Sequence, residues 1–352
     1  MSDRLGVWST ILTLVMATVW SAPAFLAAQA RAAASTITPA KKTTTWTPSP
    51  TPDGQPDLQG YWSSQSYTPL ERPVQYGNRE FYTDQEMAEV FSQGVQRAYE
   101  FTYGKPAETP EYDPTVYALG SWQNGIKPNR RTSFIVDPQD GRIPALTPEG
   151  ERVRAAMKTP LPDDPEKAVG VHFDGPEDIA LGTRCLTFGG PPILPAGYNS
   201  NVRIVQSAGY VMIEYEWNSE VRIIPLDGRP HLSENIHRWH GDSRGQWEGK
   251  TLVVETTNFR PGATFRGANP KTLKITERFT RLEASTIEYK FTIDDPTTWT
   301  KPWTAIVPLN QIEGPMFEYA CSEGNNGLVN MLAGSRAADK AEAERAAATD
   351  PK

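Results

Sequence analysis

Cysteine and histidine are scarce: the 352-residue chain holds two of the first and four of the second. So few ligands leave room for one metal centre at most, around His237-x-x-His240. There Arg238, Trp239 and the following Gly241-Asp242 turn suit a loop better than a ligand-bearing helix. Zinc would need a third ligand, His231 and Asp242 being the nearest in sequence, and the expectation is that no metal is bound. An excess of positive charge is missing too. The formal net charge is −7 and no basic stripe occurs, which excludes nucleic acid as a partner, because nucleic acid is held by basic faces that displace its counterions. No Gly-x-Ser-x-Gly elbow, phosphate loop or dinucleotide fingerprint is present. Nucleotide-dependent and α/β-hydrolase chemistry therefore lack support, and no cofactor is expected. Beyond the first thirty-odd residues, no apolar run approaches the ~18–20 needed to cross a bilayer.

The opening residues have what the rest lacks. Arg4 is followed by an apolar stretch from Val7 to about Leu26 and then by the small-residue run Ala27-Ala28-Gln29-Ala30. That is the order of a secretory signal, so residues 1–33 are expected to be a cleavable signal peptide directing the protein to the periplasm or beyond. An uncleaved anchor is the alternative, since the stretch is nearly long enough to span. After cleavage about 320 residues remain, enough for one large domain or two ordinary ones. No membrane contact is expected of them. In an oxidising compartment, Cys185 and Cys321 read as a disulfide sooner than as metal ligands or nucleophiles.

Residues 34–57 are rich in Thr, Pro, Lys and Ser, the composition of a flexible lead-in. Folded structure is expected over 58–335, beginning at Leu58-Gln59-Gly60-Tyr61-Trp62. Thr83 and Glu86 form a Thr-x-x-Glu capping box ahead of Met87, Val90, Phe91, Val95 and Ala98, which recur at helical spacing. From 100 to 200 proline and glycine interrupt any long element, a short helix from about Pro148 to Lys158 excepted. From 201 to 322 strict alternation and closely spaced turns predict antiparallel strands, with 271–281, 286–294, 303–309 and 315–321 the last four. The fold class expected is mainly β: an antiparallel meander forming a lipocalin-like barrel or a strongly bent sheet, with an irregular N-terminal half and a few helices. A helix over 323–335 and a frayed, charged, alanine-rich tail over 336–352 close the chain. The sequence defines no oligomeric state.

Alternation also sorts side chains by face. Leu273, Ile275 and Phe279 share a face with Glu277, an acid among apolar neighbours that must find a partner or raise its pKa. Arg266 and Arg281 are the partners considered; catalysis is the other use. If Ala208-Gly209 and Asn218-Ser219 are two-residue turns, Arg203 lies opposite Glu214, Glu214 opposite Ile223, and Tyr215 opposite Arg222. Glu318 and Glu323 form a carboxylate pair before the last helix, able to divide acid and base roles or simply to cap and salt-bridge. Trp239, Trp247, Trp299 and Trp303 fall near strand ends, where aromatic rings with polar edges line ligand sites or pack into the core.

Several longer blocks carry a resemblance. Thr51 to Trp62, Arg184-Cys185-Leu186-Thr187-Phe188-Gly189, Ala196-Gly197-Tyr198-Asn199-Ser200, Arg222 to His231, Gly241 to Gly249, Thr256-Thr257-Asn258-Phe259 and Phe317-Glu318-Tyr319-Ala320-Cys321 are similar to the signature blocks of a large group of exported bacterial proteins. The similarity spans roughly residues 51–335. It implies export and brings no activity with it; in that group the position of His240 is often not histidine, which tells against a metal there. Gly60-Tyr61-Trp62 also resembles the start of lipocalin-type barrels.

Two functions are expected from these features. The first is a periplasmic enzyme acting by cofactor-independent acid–base chemistry, as a lyase, isomerase or hydrolase, on a small, partly apolar oxygenated molecule such as a phenolic, terpenoid or glycoside. Glu318, Glu323, Asp242 and Glu277 are the candidate acids and bases. Arg222 and Arg244 would hold an oxyanion, and Tyr319, Trp239, Trp247, Trp299 and Asn199 complete the candidate binding set. The second is a lipocalin-like carrier for such a molecule, which needs only a lined cavity.

Overall fold

A computed structural model describes residues 46–99, 125–157, 172–188 and 190–349. The expected signal peptide lies outside the described residues, as do 34–45 of the lead-in. Residues 46–57, expected to be flexible, carry an ordered turn: Thr51 Oγ1 donates to Asp53 at 2.8 Å and accepts from the backbone N–H of Gln55 at 3.2 Å. Arg281 holds this turn to the body, lying 5.5 Å from the Trp46 ring and 5.1 Å from that of Trp62.

Among the described residues ten strands form one antiparallel sheet: β1 (Gly60–Ser63), β2 (Ile135–Asp137), β3 (Asn201–Ser207), β4 (Tyr210–Tyr215), β5 (Val221–Pro225), β6 (Asp242–Glu248), β7 (Thr251–Thr257), β8 (Lys274–Glu283), β9 (Thr286–Asp294) and β10 (Trp303–Ile312). Their order is β5-β4-β3-β1-β10-β9-β8-β7-β6, with β2 also paired to β10. The chain therefore makes two meanders, β3–β5 and β6–β10, and β1 splices them by pairing with β3 on one side and β10 on the other. No hydrogen-bonded ladder joins β5 to β6, so the sheet is not closed into a barrel. Pro225 ends β5 without a donor, and the connection to β6 is a long loop instead of a tight hairpin. Where the edges do approach, a Cβ on Gly245 would come within 2.6 Å of Leu226 and 2.8 Å of Ile224, so only glycine lets the backbone of β6 pass there.

The alternating faces pack as their sequence indicates. Ile275, Glu277 and Phe279 of β8 and Ile287, Tyr289, Phe291 and Ile293 of β9 are all fully buried, with Trp62, Phe134 and Trp303 among the largest side chains beside them. Each such apolar side chain contributes roughly 1.5–3 kcal/mol by leaving water. Glu277 finds neither Arg266 nor Arg281. Its partner is Arg222 of β5, which donates through Nη1 at 2.7 Å and Nη2 at 3.0 Å, with both side chains almost wholly excluded from solvent. Tyr289 donates its hydroxyl to the same carboxylate at 2.9 Å. Burial works against the Arg222 charge, but Glu277 beside it outweighs that and holds the guanidinium protonated.

Arg203 does lie opposite Glu214, with 3.7 Å between their charged atoms. In the next hairpin Glu214 faces Val221 and Ile213 faces Arg222, two residues from the expected register. The cause is a 3-10 turn at Trp217–Ser219, which lengthens the loop. An even shift leaves every side chain on its expected face.

Among the described residues there are three α-helices: α1 (Asp84–Tyr99), α2 (Pro148–Ala156) and α3 (Asn326–Thr349). The capping box of α1 forms, with Thr83 N donating to Glu86 at 2.8 Å and Glu86 N to Thr83 Oγ1 at 3.2 Å. Arg79 chelates the same carboxylate and holds its pKa down to about 2. Thr147 caps α2 through the N–H of Gly150. Residues 315–321 form no strand, since their segment leaves the sheet after Ile312 and is drawn instead to Cys185 by the disulfide. The final helix does not fray at 336 but continues to Thr349, because alanine-rich sequence without proline propagates a helix, aided by Arg336–Asp339 and Lys340–Glu344 pairs.

Removing one partner of the interior ion pair leaves an uncompensated buried charge. Glu277→Ala is expected to cost about 3–5 kcal/mol in urea unfolding. The double variant Arg222→Met with Glu277→Leu should recover most of that loss.

Candidate functional site

The four acids expected to do chemistry lie apart from one another. Glu318 and Glu323 are exposed on the segment between β10 and α3. Asp242 is buried at the start of β6, where His231 Nδ1 and the N–H of Leu232 each lie 3.0 Å from one oxygen and Arg244 Nη1 donates to the other at 2.8 Å. Arg244 also donates to the carbonyl of Pro230 at 3.0 Å. These contacts pin the loop between β5 and β6, so Asp242 and Arg244 serve as its anchor. Glu277 is committed to Arg222 and Tyr289.

The tryptophans do not form one wall either. Trp299 and Trp303 are core residues with ring centroids 6.1 Å apart, and Trp247 packs against the same core. Trp239 stacks under Arg260 at 4.3 Å and lines a groove of about 260 Å³ with Arg222, His240 and Ser243.

What the fold does build is a cavity of about 470 Å³ between the loop at 190–195, the start of β3, the end of β4 and the loop at 263–266. That volume suits a small organic molecule. Part of the lining is apolar, with Pro191, Pro192, Ile193, Phe188, Trp217 and Phe265. Three aromatic rings cluster here: the Phe188 ring centroid lies 4.4 Å from that of Trp217, and the Tyr319 ring lies 5.2 Å from each, edge-on to Phe188. The disulfide between Cys185 and Cys321, with Cα atoms 5.6 Å apart, is what brings Tyr319 to Phe188.

The lining also holds a few polar groups. Asn201 Nδ2 donates to Glu216 at 2.8 Å, and this fixes its amide so that Oδ1 has no hydrogen-bond partner although buried. The Tyr215 hydroxyl is likewise buried and unpartnered. Burial pushes that phenol well above its usual range, against the opposing charge of Arg222 and with help from Glu277 and Glu220, so it is a neutral donor. Burial also raises Glu216, against the N–H groups that donate to it. Asn199 lines the cavity too, held in the left-handed region at φ 54°.

Glu220 belongs to both spaces, lining the cavity and the groove. One of its oxygens contacts His240 Nε2 and accepts from Thr187 Oγ1 at 2.9 Å; the other accepts from Phe188 N and Asn218 Nδ2, each at 3.3 Å. His240 packs edge-on against Tyr215, with centroids 5.6 Å apart.

Of the expected binding residues, Asn199 lines the cavity, Tyr319 backs its aromatic wall, and Arg222 and Trp239 line the adjoining groove. Tyr215, Asn201, Glu220, Phe188 and Trp217 emerge only in three dimensions. His240 was legible as a candidate metal ligand, but its partner is Glu220, and among the described residues no group of three His, Cys, Asp or Glu could hold a metal. No described helix is long and apolar enough to cross a membrane, and the disulfide is compatible with an extracytoplasmic setting.

No family model matches the chain, and neither the curated proteins nor the solved structures contain a match to it.

The disulfide spans 136 residues of sequence, so cutting it frees a long loop in the unfolded chain. Cys185→Ser with Cys321→Ser is expected to lower stability by up to about 4–5 kcal/mol in denaturant unfolding. Tryptophan fluorescence should also report a loosened Trp217.

Proposed function

We propose that this is a periplasmic protein that binds a small, partly apolar oxygenated molecule in the cavity between the 190–195 loop and β4, in the manner of a lipocalin-like carrier. The observation that carries the reading is a cavity of about 470 Å³ whose lining includes Tyr215 and Asn201, two residues that each hold a buried polar atom without a partner, Tyr215 OH and Asn201 Oδ1. A buried donor and a buried acceptor without partners each cost about 1–3 kcal/mol, and a ligand offering an acceptor and a donor removes both costs. Phe188, Trp217 and Phe265 supply the flat apolar surface for the rest of such a molecule.

Incubating the mature protein with a mixed plant-metabolite extract, washing, and analysing the retained compounds by mass spectrometry tests the reading. Tyr215→Phe should weaken the retained compound about tenfold while leaving the protein as stable as before or more so, because the hydroxyl removed has no partner in the free protein. Undiminished affinity in Tyr215→Phe would sink this assignment. The second reading is the acid–base enzyme, and the contact of Glu220 with His240 at the edge of the same cavity favours it. An altered mass or retention time in the recovered compound would support the enzyme over the carrier.

A further inference from the structure

We propose that the free edge of β5 is a docking site for a short, extended, acidic peptide segment of another protein, which adds to the sheet in the groove between β5 and β6.

The register of β5 against β4 shows which of its backbone groups are unused. Tyr215 N donates to the carbonyl of Glu220 at 2.8 Å, and Leu226 N donates to that of Gly209 at 2.9 Å. Bonded pairs alternate along an antiparallel ladder, so Arg222 and Ile224 bond to β4 while Val221 and Ile223 turn their N–H and C=O groups away from it. Among the described residues nothing takes up those outward groups, because no ladder joins β5 to β6. The opposite wall is already satisfied. Gly241 N donates to the carbonyl of Arg238 at 3.2 Å, and the carbonyl of Ser243 accepts from Arg244 Nη1 at 2.7 Å. An added chain therefore has β5 as its template.

Sheet edges are ordinarily blunted by lysine, proline, a bulge or an inward-pointing charge. The inward charge of β5, Arg222, is neutralised by Glu277, and its proline, Pro225, stands only at the far end. The residues ahead of Pro225 leave apolar side chains in water, Val221 at 48% and Ile223 at 61% exposure, and both line the groove with Leu186. Alternate side chains of an added strand would cover them while its backbone pairs with theirs.

Charge and width select the occupant. The one acid in the lining, Glu220, is taken by His240 and Thr187. Arg238 is left exposed with its guanidinium unpaired. Arg260, whose N–H donates to the Arg238 carbonyl at 2.9 Å, lies over Trp239 and has no acid partner. Two unmatched guanidiniums favour carboxylates. The groove narrows toward the close approach of Gly245 to Ile224 and Leu226, so a single extended chain fits where the edge of a second folded sheet would not.

The test uses rhodamine-labelled, end-capped five-residue peptides with the folded mature protein, read by fluorescence anisotropy at low salt. A peptide alternating valine and aspartate is expected to bind. Replacing its aspartates by lysine should weaken binding at least about fivefold, and full N-methylation of the aspartate peptide, which removes every backbone donor, at least about tenfold. Arg238→Glu should reverse the preference between aspartate and lysine. In Val221→Pro only an outward N–H is lost, and Glu220 already has the extended backbone, φ −76° and ψ 137°, that a residue before proline requires. That variant should keep the thermal stability of the wild type and bind the aspartate peptide about fivefold more weakly. Equal affinity for the N-methylated peptide, an unchanged charge preference in Arg238→Glu, or full binding by folded Val221→Pro would each overturn the proposal. So would no binding of the aspartate peptide, or a wild-type dimer that Val221→Pro dissociates, which would give the edge to a second copy of the chain.

Discussion

A carboxylate on the apolar face of β8 sets the arrangement of the interior. Glu277 is excluded from water and can remain there only beside an opposite charge with its lone pairs filled. Arg222 meets both demands in a two-pronged contact, which requires that the sheet bend until β5 reaches across to β8. The bend brings the two edge strands near each other and gives the interior one shared core instead of two faces. A third hydrogen bond to the same carboxylate comes from Tyr289, and the Tyr289 hydroxyl in turn accepts the N–H of Ile193 at 3.0 Å. Ile193 belongs to the proline-rich wall of the cavity. One buried acid is therefore linked, through two hydrogen bonds, to the placement of the surface against which a ligand would lie.

The incomplete closure of the sheet follows from the same geometry. Near Gly245 the β6 backbone rides against the side chains of Ile224 and Leu226, so side chains fill the space that a ladder of hydrogen bonds would need. Further along β5, Val221, Arg222 and Ile223 line the open groove with His240 and Ser243. Gly245 and Pro225 are thus placed where one permits close approach and the other supplies no donor.

The sequence made the local features legible and left the distant ones hidden. Alternation identified the faces of β8 and β9, including the buried position of Glu277, because side-chain period is a property of neighbouring residues. The capping box at Thr83 and Glu86 and the disulfide between Cys185 and Cys321 were readable for similar reasons, one from spacing and the other from count and compartment. The identity of Glu277's partner was not, since it depends on strand order, and β1 enters the sheet between strands that lie about 140 residues or more further along the chain. The same holds for the cavity. Asn201, Tyr215, Glu220 and Phe188 come from a strand start, a strand end, a turn and a loop, and no spacing rule joins them. Glu318 and Glu323 looked promising because two acids near aromatic residues invite a catalytic reading, yet the segment carrying them leaves the sheet after Ile312 and faces solvent.

The buried polar groups of the described residues divide into those with every demand met and those without a partner. Around Glu277 three donors converge on one carboxylate, and around Asp242 a histidine, an arginine and a backbone N–H do the same. Such closed networks stabilise a fold and offer nothing to a ligand. In two residues that line the cavity the pattern reverses: Tyr215 keeps a neutral hydroxyl and Asn201 a carbonyl oxygen, both buried and both without a protein partner. Arg222 stands between the two regimes, with its outer nitrogens given to Glu277 and its buried Nε left open where the residue lines the groove. Selection for stability alone would favour phenylalanine at Tyr215, whose buried hydroxyl has no partner in the protein. Among the described residues six further buried polar atoms without partners, Trp303 Nε1 and Trp247 Nε1 among them, belong to residues that line neither the cavity nor the groove, so an orphan singles out a position only where a cavity adjoins it, as at Tyr215 and Asn201.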